Sequence, residues 1–324
     1  MRRLLRPIPL LLAAALLAAV LAIDCGSGGC QFVAGPDDPT LMLLRTQRAS
    51  LAFAVGALLT LAGALLQLLL RNPLADPYVL GVSGGAAVGA VASGLLLPLA
   101  LRSASLQAGA LAGAALAIIL LFALGRRSLA APPMSSAVPG MRLILTGVMV
   151  STGFGALLAL LLSLAPDTQL RGTMFWLMGD LEAEGFAGGI VAWAVLLTVG
   201  AWAIWQAPRL NVLAHGDATA LLLGLPVTRL RVALLLIASV ATATAVAQAG
   251  AIGFVGLVVP HALRLWLGND QRLLLPAAML GGGAALLLAD LLARVILAPV
   301  QLPVGVVTAL VGVPLFLMML ARSR

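Results

Sequence analysis

Few residues of this sequence could do chemistry, and the most informative of them end an apolar segment, Gly250–Arg264. Three glycines and Pro260 interrupt the segment, and His261 and Arg264 follow the interruption three residues apart. In a membrane, Gly and Pro within an apolar run are typical of a helix that breaks where neighbouring protein satisfies the freed backbone groups. Transporters place such broken helices along the route of a solute. The segment therefore predicts solute passage rather than catalysis.

A second interrupted element begins after the apolar run that ends at Leu70. Arg71–Pro77 contains two prolines that bracket a turn, and Asp76 stands directly before Pro77, where it could cap the next helix. Glycines then give the following run, Tyr78–Leu97, a small-residue face for close helix packing. This element either lines a solute route or forms only a tight packed corner.

Ionisable side chains elsewhere offer little catalytic chemistry. Asp290 and Arg294 are four residues apart, a spacing that lets them pair on one helix face. Charged groups at membrane depth are functional candidates, so this pair is either functional or structural. His215 and His261 are the only histidines and lack companion ligands or a nucleophile, so His261 is expected to cap the broken helix. These residues predict neither an enzyme nor a metal site.

The composition excludes several classes of protein. Hydrophobic residues make up 62% of the chain and charged residues 9%, whereas soluble domains have about 25% charged residues. We therefore expect an all-α polytopic membrane protein. The sequence has no lysine, so it lacks the phosphate-binding loop of P-loop ATPases, and energy must come from a partner or a gradient. Its net charge of +8 comes from arginines scattered singly, unlike a nucleic-acid-binding stripe.

An apolar run of about 20 residues spans a bilayer as a helix. The candidate spans are Leu4–Ile23, Ala49–Leu70, Tyr78–Leu97, Leu106–Gly125, Leu143–Leu164, Phe186–Trp205, Leu230–Gln248, Ile252–Leu267, Leu273–Leu292 and Val304–Leu320. We expect them to form one transmembrane domain over residues 1–324. Most arginines fall on one side of this arrangement, which places both termini in the cytoplasm.

The first span resembles a signal peptide because arginines precede its apolar run. The bulky Ile23 and the acidic Asp24 do not fit a cleavage site before Cys25, so we expect an uncleaved helix. Cys25 and Cys30 follow in a glycine-rich loop. They either form a disulfide, if the loop faces the periplasm, or remain thiols without a role.

Two loops are long enough to carry function. Outside, Pro166–Gly185 contains Leu170–Met178, which is expected to form a short helix at the membrane surface. Inside, residues 206–229 contain a short apolar helix that is expected to begin with Asp217 as its N-cap and to end at Leu223. An exposed apolar helix on the cytoplasmic side either docks a partner or folds back onto the bundle.

Several long motifs, in order, resemble the permease subunits of the ABC importer family for iron-siderophore, haem and cobalamin complexes. The resemblance begins near Leu44, and its motifs are Arg71–Ala87, Leu170–Gly179, Asn211–Pro226, Gly250–Arg264, Arg272–Pro276, Ala289–Arg294 and Leu302–Pro314. It implies a homodimer of ten-helix subunits with a weak inverted repeat and a substrate path at the dimer interface. It also implies two cytoplasmic ATPase subunits, which bind ATP and Mg²⁺, and a periplasmic binding protein. No cofactor is implied for this chain.

The resemblance assigns roles to individual residues. Docking of the binding protein is implied for Arg45, Arg48 and Arg294. Coupling to the ATPase is implied for Leu213, His215, Gly216, Asp217, Ala220, Leu222, Leu223 and Gly224. A cytoplasmic gate is implied for Asn72 and Leu74, and its second contact stays open because Pro139–Met141 replaces a hydroxyl-rich run, with Ser135–Ser136 nearby. The structural motif residues are Pro73, Asp76, Pro77, Gly253, Gly256, Pro260, His261 and Arg264.

We therefore expect a permease of the bacterial inner membrane that leaves ATP hydrolysis to its partner subunit. The expected cargo is a ferric siderophore, with haem and cobalamin as alternatives, because the binding protein largely selects the cargo in such importers. The rival is a gradient-driven carrier or channel. A carrier would place acids or histidines at the membrane midplane, which Asp290 alone approaches in this sequence.

Overall fold

The structure is a computed structural model that describes residues 7–27, 29–30, 39–96, 102–129, 139–181 and 186–322. Within these residues the α-helices are α1 (Pro7–Asp24), α2 (Pro39–Leu70), α3 (Val82–Leu96), α4 (Arg102–Leu129), α5 (Pro139–Leu164), α6 (Asp167–Leu177), α7 (Phe186–Ala214), α8 (Asp217–Leu222), α9 (Val227–Ala249), α10 (Val255–Leu267), α11 (Gln271–Val295) and α12 (Val304–Arg322). A 3-10 helix, Pro77–Leu80, precedes α3.

Eight of the helices described are long and apolar enough to cross a membrane, and α3 and α10 are shorter apolar helices. This confirms the expected all-α fold with about ten membrane helices. The other two, α6 and α8, lie between spans, where the sequence predicts short helices. Helix α2 begins at Pro39 and α7 ends at Ala214, so both continue past their apolar spans into more polar sequence.

Helix α2 forms the centre of the bundle, and nearly all of its residues from 51 to 70 are buried. It packs against α9, α10 and α11. Glycines allow this approach: a Cβ added at Gly63 would overlap the Gly256 carbonyl of α10, and one added at Gly56 would overlap the Gly282 carbonyl of α11. Membrane helices associate through such close packing because lipid tails are as apolar as their own side chains.

The two interrupted elements of the sequence contact each other inside the bundle. The Ile252 N–H, in the break before α10, donates a hydrogen bond to the Tyr78 hydroxyl at 2.8 Å. The Gln67 side chain of α2 donates to the Leu257 carbonyl of α10 at 3.1 Å. Side chains from neighbouring elements thus satisfy backbone groups at and near the break, as a membrane interior requires.

The glycine face predicted for α3 packs on α4. A Cβ added at Gly85 or Gly89 would overlap the carbonyl oxygen of Gly113 or Gly109 respectively, so the two backbones are nearly in contact. Gly81 has a φ of 78° and ends the 3-10 helix. The element after α2 is therefore a tightly packed corner at the end that leads into α3.

A small hairpin closes the end of α1. Strands β1 (Cys25–Gly26) and β2 (Gly29–Cys30) pair antiparallel, with Cys25 opposite Cys30. A disulfide joins these two cysteines. The sequence left open whether they pair or remain thiols, and the structure shows the pair. The hairpin lies beside α11.

Candidate functional sites at the two ends of the bundle

Helix α8 projects from the end of the bundle where α7 stops and α9 starts. Leu222 and Leu223 expose 89% and 65% of their surface, whereas Leu213 and Ala220 are buried. His215 is exposed at the end of α7. The buried residues anchor the segment, and its leucines face away from the chain instead of folding back onto it.

Two glycines with left-handed backbone flank α8. Gly216 has a φ of 116° and Gly224 a φ of 76°, a region that residues with a Cβ rarely adopt. The chain therefore turns sharply before and after the six residues of α8. The coupling residues predicted between Leu213 and Gly224 lie together as one compact unit between two spans.

Asp217 does not act as the N-cap that its position predicts. Gly216 is the N-cap residue. Asp217 is the first residue of α8, and no side chain makes a capping hydrogen bond there. Its Oδ1 lies 2.7 Å from Arg71 Nη2, and its Oδ2 pairs with Arg231 of α9. Asp217 and Arg231 are both buried, and a buried carboxylate requires such paired charges. Ion pairing therefore replaces capping at this residue.

The gate residues predicted after α2 lie in a tight turn. Asn72 Oδ1 accepts a hydrogen bond from the Leu74 N–H at 2.9 Å, and the Leu74 side chain is exposed. Asp76 caps the 3-10 helix, as predicted, by accepting from the Tyr78 N–H at 2.8 Å. The pKa of Asp76 is raised above its ordinary value because the side chain is buried, and that hydrogen bond acts in the opposite direction. Ser135–Ser136, considered for the second gate contact, lie outside the described residues.

Two further predicted motif residues flank Asp76. Pro73 is exposed within the turn, whereas Pro77 is buried as the first residue of the 3-10 helix. A Cβ added at Gly256 would lie 3.0 Å from Pro77 Cγ, so Pro77 rests on the start of α10. The turn thus presents one proline outward and uses the other to fix its inner end.

The break before α10 is not capped by His261. The N-cap residue is Phe254, with a φ of 68°, and Gly253 lies in the break directly before it. His261 and Pro260 stand in the interior of α10, and Arg264 lies in its last turn. The capping role expected for His261 is therefore wrong, because the helix begins six residues before it.

Asn211 is a connection that sequence reasoning missed. Its side chain donates to Asp270 Oδ1 at 2.7 Å and accepts from the Gln271 N–H at 2.7 Å. These bonds tie the end of α7 to the start of α11, close to α8. The residues are about 60 apart in the chain, and no local spacing indicates the contact.

At the opposite end of the bundle, Asp290 of α11 is fully buried between two arginines. Its Oδ2 lies 3.0 Å from Arg294 Nε, the pair that the four-residue spacing predicts. Its Oδ1 lies 2.9 Å from Arg48 Nη2 of α2. Arg48 also donates to Gln301 Oε1 at 3.0 Å. Asp290 thus joins α2 and α11, and Arg48 ties them to the segment before α12.

Arg294 serves the fold of this chain at the same end. Its Nη2 and Nη1 donate to the carbonyl oxygens of Ala22 and Cys25 at 3.0 and 3.2 Å, and it is only 4% exposed. Direct contact with a docked protein, which we expected for Arg294, does not fit this burial. Arg45 and Arg48 remain partly exposed. Arg45 donates to the backbone at the end of α1.

About ten membrane helices, some of them broken, and an exposed apolar helix between two spans are features of a transport permease. Residues 8–322 match the FecCD transport family, and the chain belongs to that family.

Relatives cover most of the chain. The cobalamin import system permease protein BtuC of Halobacterium salinarum is 42% identical over 281 residues, which are 87% of this chain and 73% of that protein. The hemin transport system permease protein HmuU of Yersinia pestis is 39% identical over 290 residues, 87% of this chain and 83% of that protein. A solved inward-facing conformation of a metal-chelate type ABC transporter has a TM-score of 0.85 at 29% identity, and the match covers 99% of this chain and 100% of that one.

Proposed function

We propose that this chain is the membrane-spanning subunit of an importer that carries a metal chelate from the periplasm into the cytoplasm. A separate ATPase binds ATP and Mg²⁺ and drives the cycle. The chain lies in the bacterial inner membrane with both termini in the cytoplasm, and two copies enclose the substrate path. Family membership and the long likeness to a metal-chelate type transporter support this proposal.

The observation that carries the proposal is the exposed apolar surface of α8. Leu222 and Leu223 follow each other at the end of a helix that two left-handed glycines set apart from the spans. Exposed leucines outside a membrane are a liability unless a partner covers them. We assign that partner as the ATPase, because this chain lacks a phosphate-binding loop and an importer driven by ATP would then receive mechanical work at a protein interface.

For the outer face we propose that a periplasmic binding protein docks near Arg45 and Arg48. Asp290 pairs with Arg48 and Arg294, and Arg45 binds backbone carbonyls at the end of α1, so positive charge exceeds negative charge among these four side chains. Arginine suits bidentate recognition of carboxylates. In this proposal the two partly exposed arginines face the partner, and buried Arg294 holds the hairpin beneath them.

Cobalamin and haem are the first cargoes to test, because the relatives described above are named for them. A ferric siderophore is tested beside them. The binding protein that associates with this chain should be titrated with each compound, and the loaded form should stimulate ATP hydrolysis by the reconstituted complex. Stimulation by one loaded form identifies the cargo. Failure of all three, with a binding protein that docks, would refute the proposed cargo class.

A further inference from the structure

Two arginines from different elements meet one carboxylate at the base of α8. Asp217 opens α8, Arg231 belongs to the first turns of α9, and Arg71 directly follows α2. We propose that Arg71, Asp217 and Arg231, the coupling triad, transmit movement of α8 to the gate turn at residues 71–77. This inference rests on the proposed function, because it assumes that α8 receives work from an ATPase.

Within the triad, the ion pair between Asp217 and Arg231 is the one that stays intact when α8 moves. Both side chains are more than nine-tenths buried, and a buried pair that loses one partner leaves an uncompensated charge. Arg231 also lies on a long membrane helix. Left-handed Gly216 and Gly224 border α8, and hinges are often small residues at the ends of elements. A tilt of α8 about Gly216 and Gly224 therefore displaces Asp217 while Asp217 stays paired with Arg231.

The ion pair between Arg71 and Asp217 is the one that can break and form again. The Arg71 side chain is 50% exposed, and exposed ion pairs are weak enough to break and form again during a cycle. Its backbone has a φ of 48°, a left-handed conformation that side chains with a Cβ adopt only at a cost. Contact with Asp217 helps to hold this conformation, so loss of the contact releases the turn.

Arg71 is also well placed to move the gate. It precedes Asn72, whose side chain closes the turn on the Leu74 N–H. The exposed Leu74 side chain is therefore only three residues from the ion pair. A displacement of Asp217 that pulls on Arg71 rotates a short, closed turn. A triad that acts only as a static brace would not change the relation between hydrolysis and transport.

The test compares Arg71→Gln with wild type in the complete complex of permease, ATPase and binding protein, reconstituted in liposomes. We expect unchanged ATPase co-purification and unchanged KM for ATP. The number of ATP molecules hydrolysed per cargo molecule should rise roughly 5-fold or more, the lower end of typical coupling between sites. Arg71→Lys should restore much of the ratio, because lysine keeps a positive charge that can pair with the Asp217 carboxylate.

Arg229→Gln is the matched control, since Arg229 is an exposed arginine two residues from Arg231. It should leave the ratio unchanged. Wild-type coupling in Arg71→Gln, with wild-type uptake intact, would overturn the role of the triad. Absence of ATP-driven uptake in wild type would instead refute the proposed function, so the two failures are distinguishable.

A second measurement does not depend on turnover. Cys25 and Cys30 are disulfide-bonded, so spin labels can be attached selectively to cysteines introduced at Leu74 and Ala218. We expect a narrow distance distribution between the labels in both nucleotide-free and vanadate-trapped complexes. Arg71→Gln should broaden it. Equal widths in the two proteins would contradict the inference even if uptake were lost.

Discussion

The hydroxyl of Tyr78 accepts a hydrogen bond from the N–H of Ile252 at 2.8 Å, and this bond joins the two interrupted elements of the chain. One element follows α2 and the other precedes α10. Short helices that start inside a membrane domain leave backbone donors without helical partners. A side chain from the first half of the chain therefore accepts the hydrogen bond of a backbone N–H that the helix break in the second half leaves free.

Tyr78→Phe should destabilise the protein while leaving its helices in place. Removal of the hydroxyl leaves the N–H of the buried residue Ile252 without its acceptor, and a buried unpaired donor typically costs about 1–3 kcal/mol. The melting temperature in detergent measures the effect. An unchanged melting temperature would mean that the Ile252 N–H has another acceptor. The bond to Tyr78 would then contribute little to the stability of the protein.

Gly63→Ala should prevent close packing of α2 on α10. The added Cβ would overlap the Gly256 carbonyl oxygen, and backbone cannot move aside as a flexible side chain can. Overpacking of this kind costs about 1–3 kcal/mol or more. Gly153→Ala is the control, because a Cβ there meets nothing within 4 Å. Equal yields and melting temperatures for the two variants would contradict the packing described.

Leu222→Asp should leave the permease folded and weaken its attachment to the ATPase. The side chain is 89% exposed in the single chain, so a charge costs little there until a partner buries it. A buried charge without a counter-ion then costs several kcal/mol. Co-purification with the ATPase measures the loss, and Leu222→Met, which stays apolar, is the control. Unchanged co-purification of Leu222→Asp would assign α8 another role.

Arg45→Glu and Arg294→Ala should separate docking from folding at the outer face. Arg45 is partly exposed, so its reversal should slow association with the binding protein and alter the salt dependence of that association. Arg294 is buried against Asp290, and its loss should lower stability by less than the roughly 3–5 kcal/mol that an unpaired buried charge costs, because Asp290 keeps its ion pair with Arg48. Surface plasmon resonance and melting temperature measure the two effects. A stable Arg294→Ala variant with reduced partner affinity would reverse these assignments.

Local patterns in the sequence predicted much of this structure. Gly250 and Gly253 correctly marked the break before α10, whereas Gly256 and Pro260, expected to interrupt the same run, lie inside that helix. The four-residue spacing predicted the Asp290–Arg294 pair. Apolar residues in a loop between two spans indicated α8. Each of these signals lies within one segment, where helical periodicity relates sequence distance to spatial distance.

The remaining contacts depend on tertiary structure. Arg48 and Asp290 are 242 residues apart, and no spacing relates them. Asp217 has the residue type and position of an N-cap, yet Arg71, which is far away in the chain, and Arg231 of the next helix bind its carboxylate instead. His261 was assigned to a cap because it follows a break, but the helix restarts at Val255. Local propensity was overridden wherever a buried charge or a packed helix end required a distant partner.

The most direct test of the central claim is cargo uptake into liposomes that contain this chain in the membrane. The ATPase and ATP are inside the liposomes, and the binding protein is outside. Radiolabelled cobalamin, haem and a ferric siderophore are supplied in turn. We expect uptake of one cargo that requires both ATP and the binding protein and that stops with a non-hydrolysable ATP analogue. Uptake that proceeds without ATP and follows an imposed proton or sodium gradient would contradict the account and favour a gradient-driven carrier.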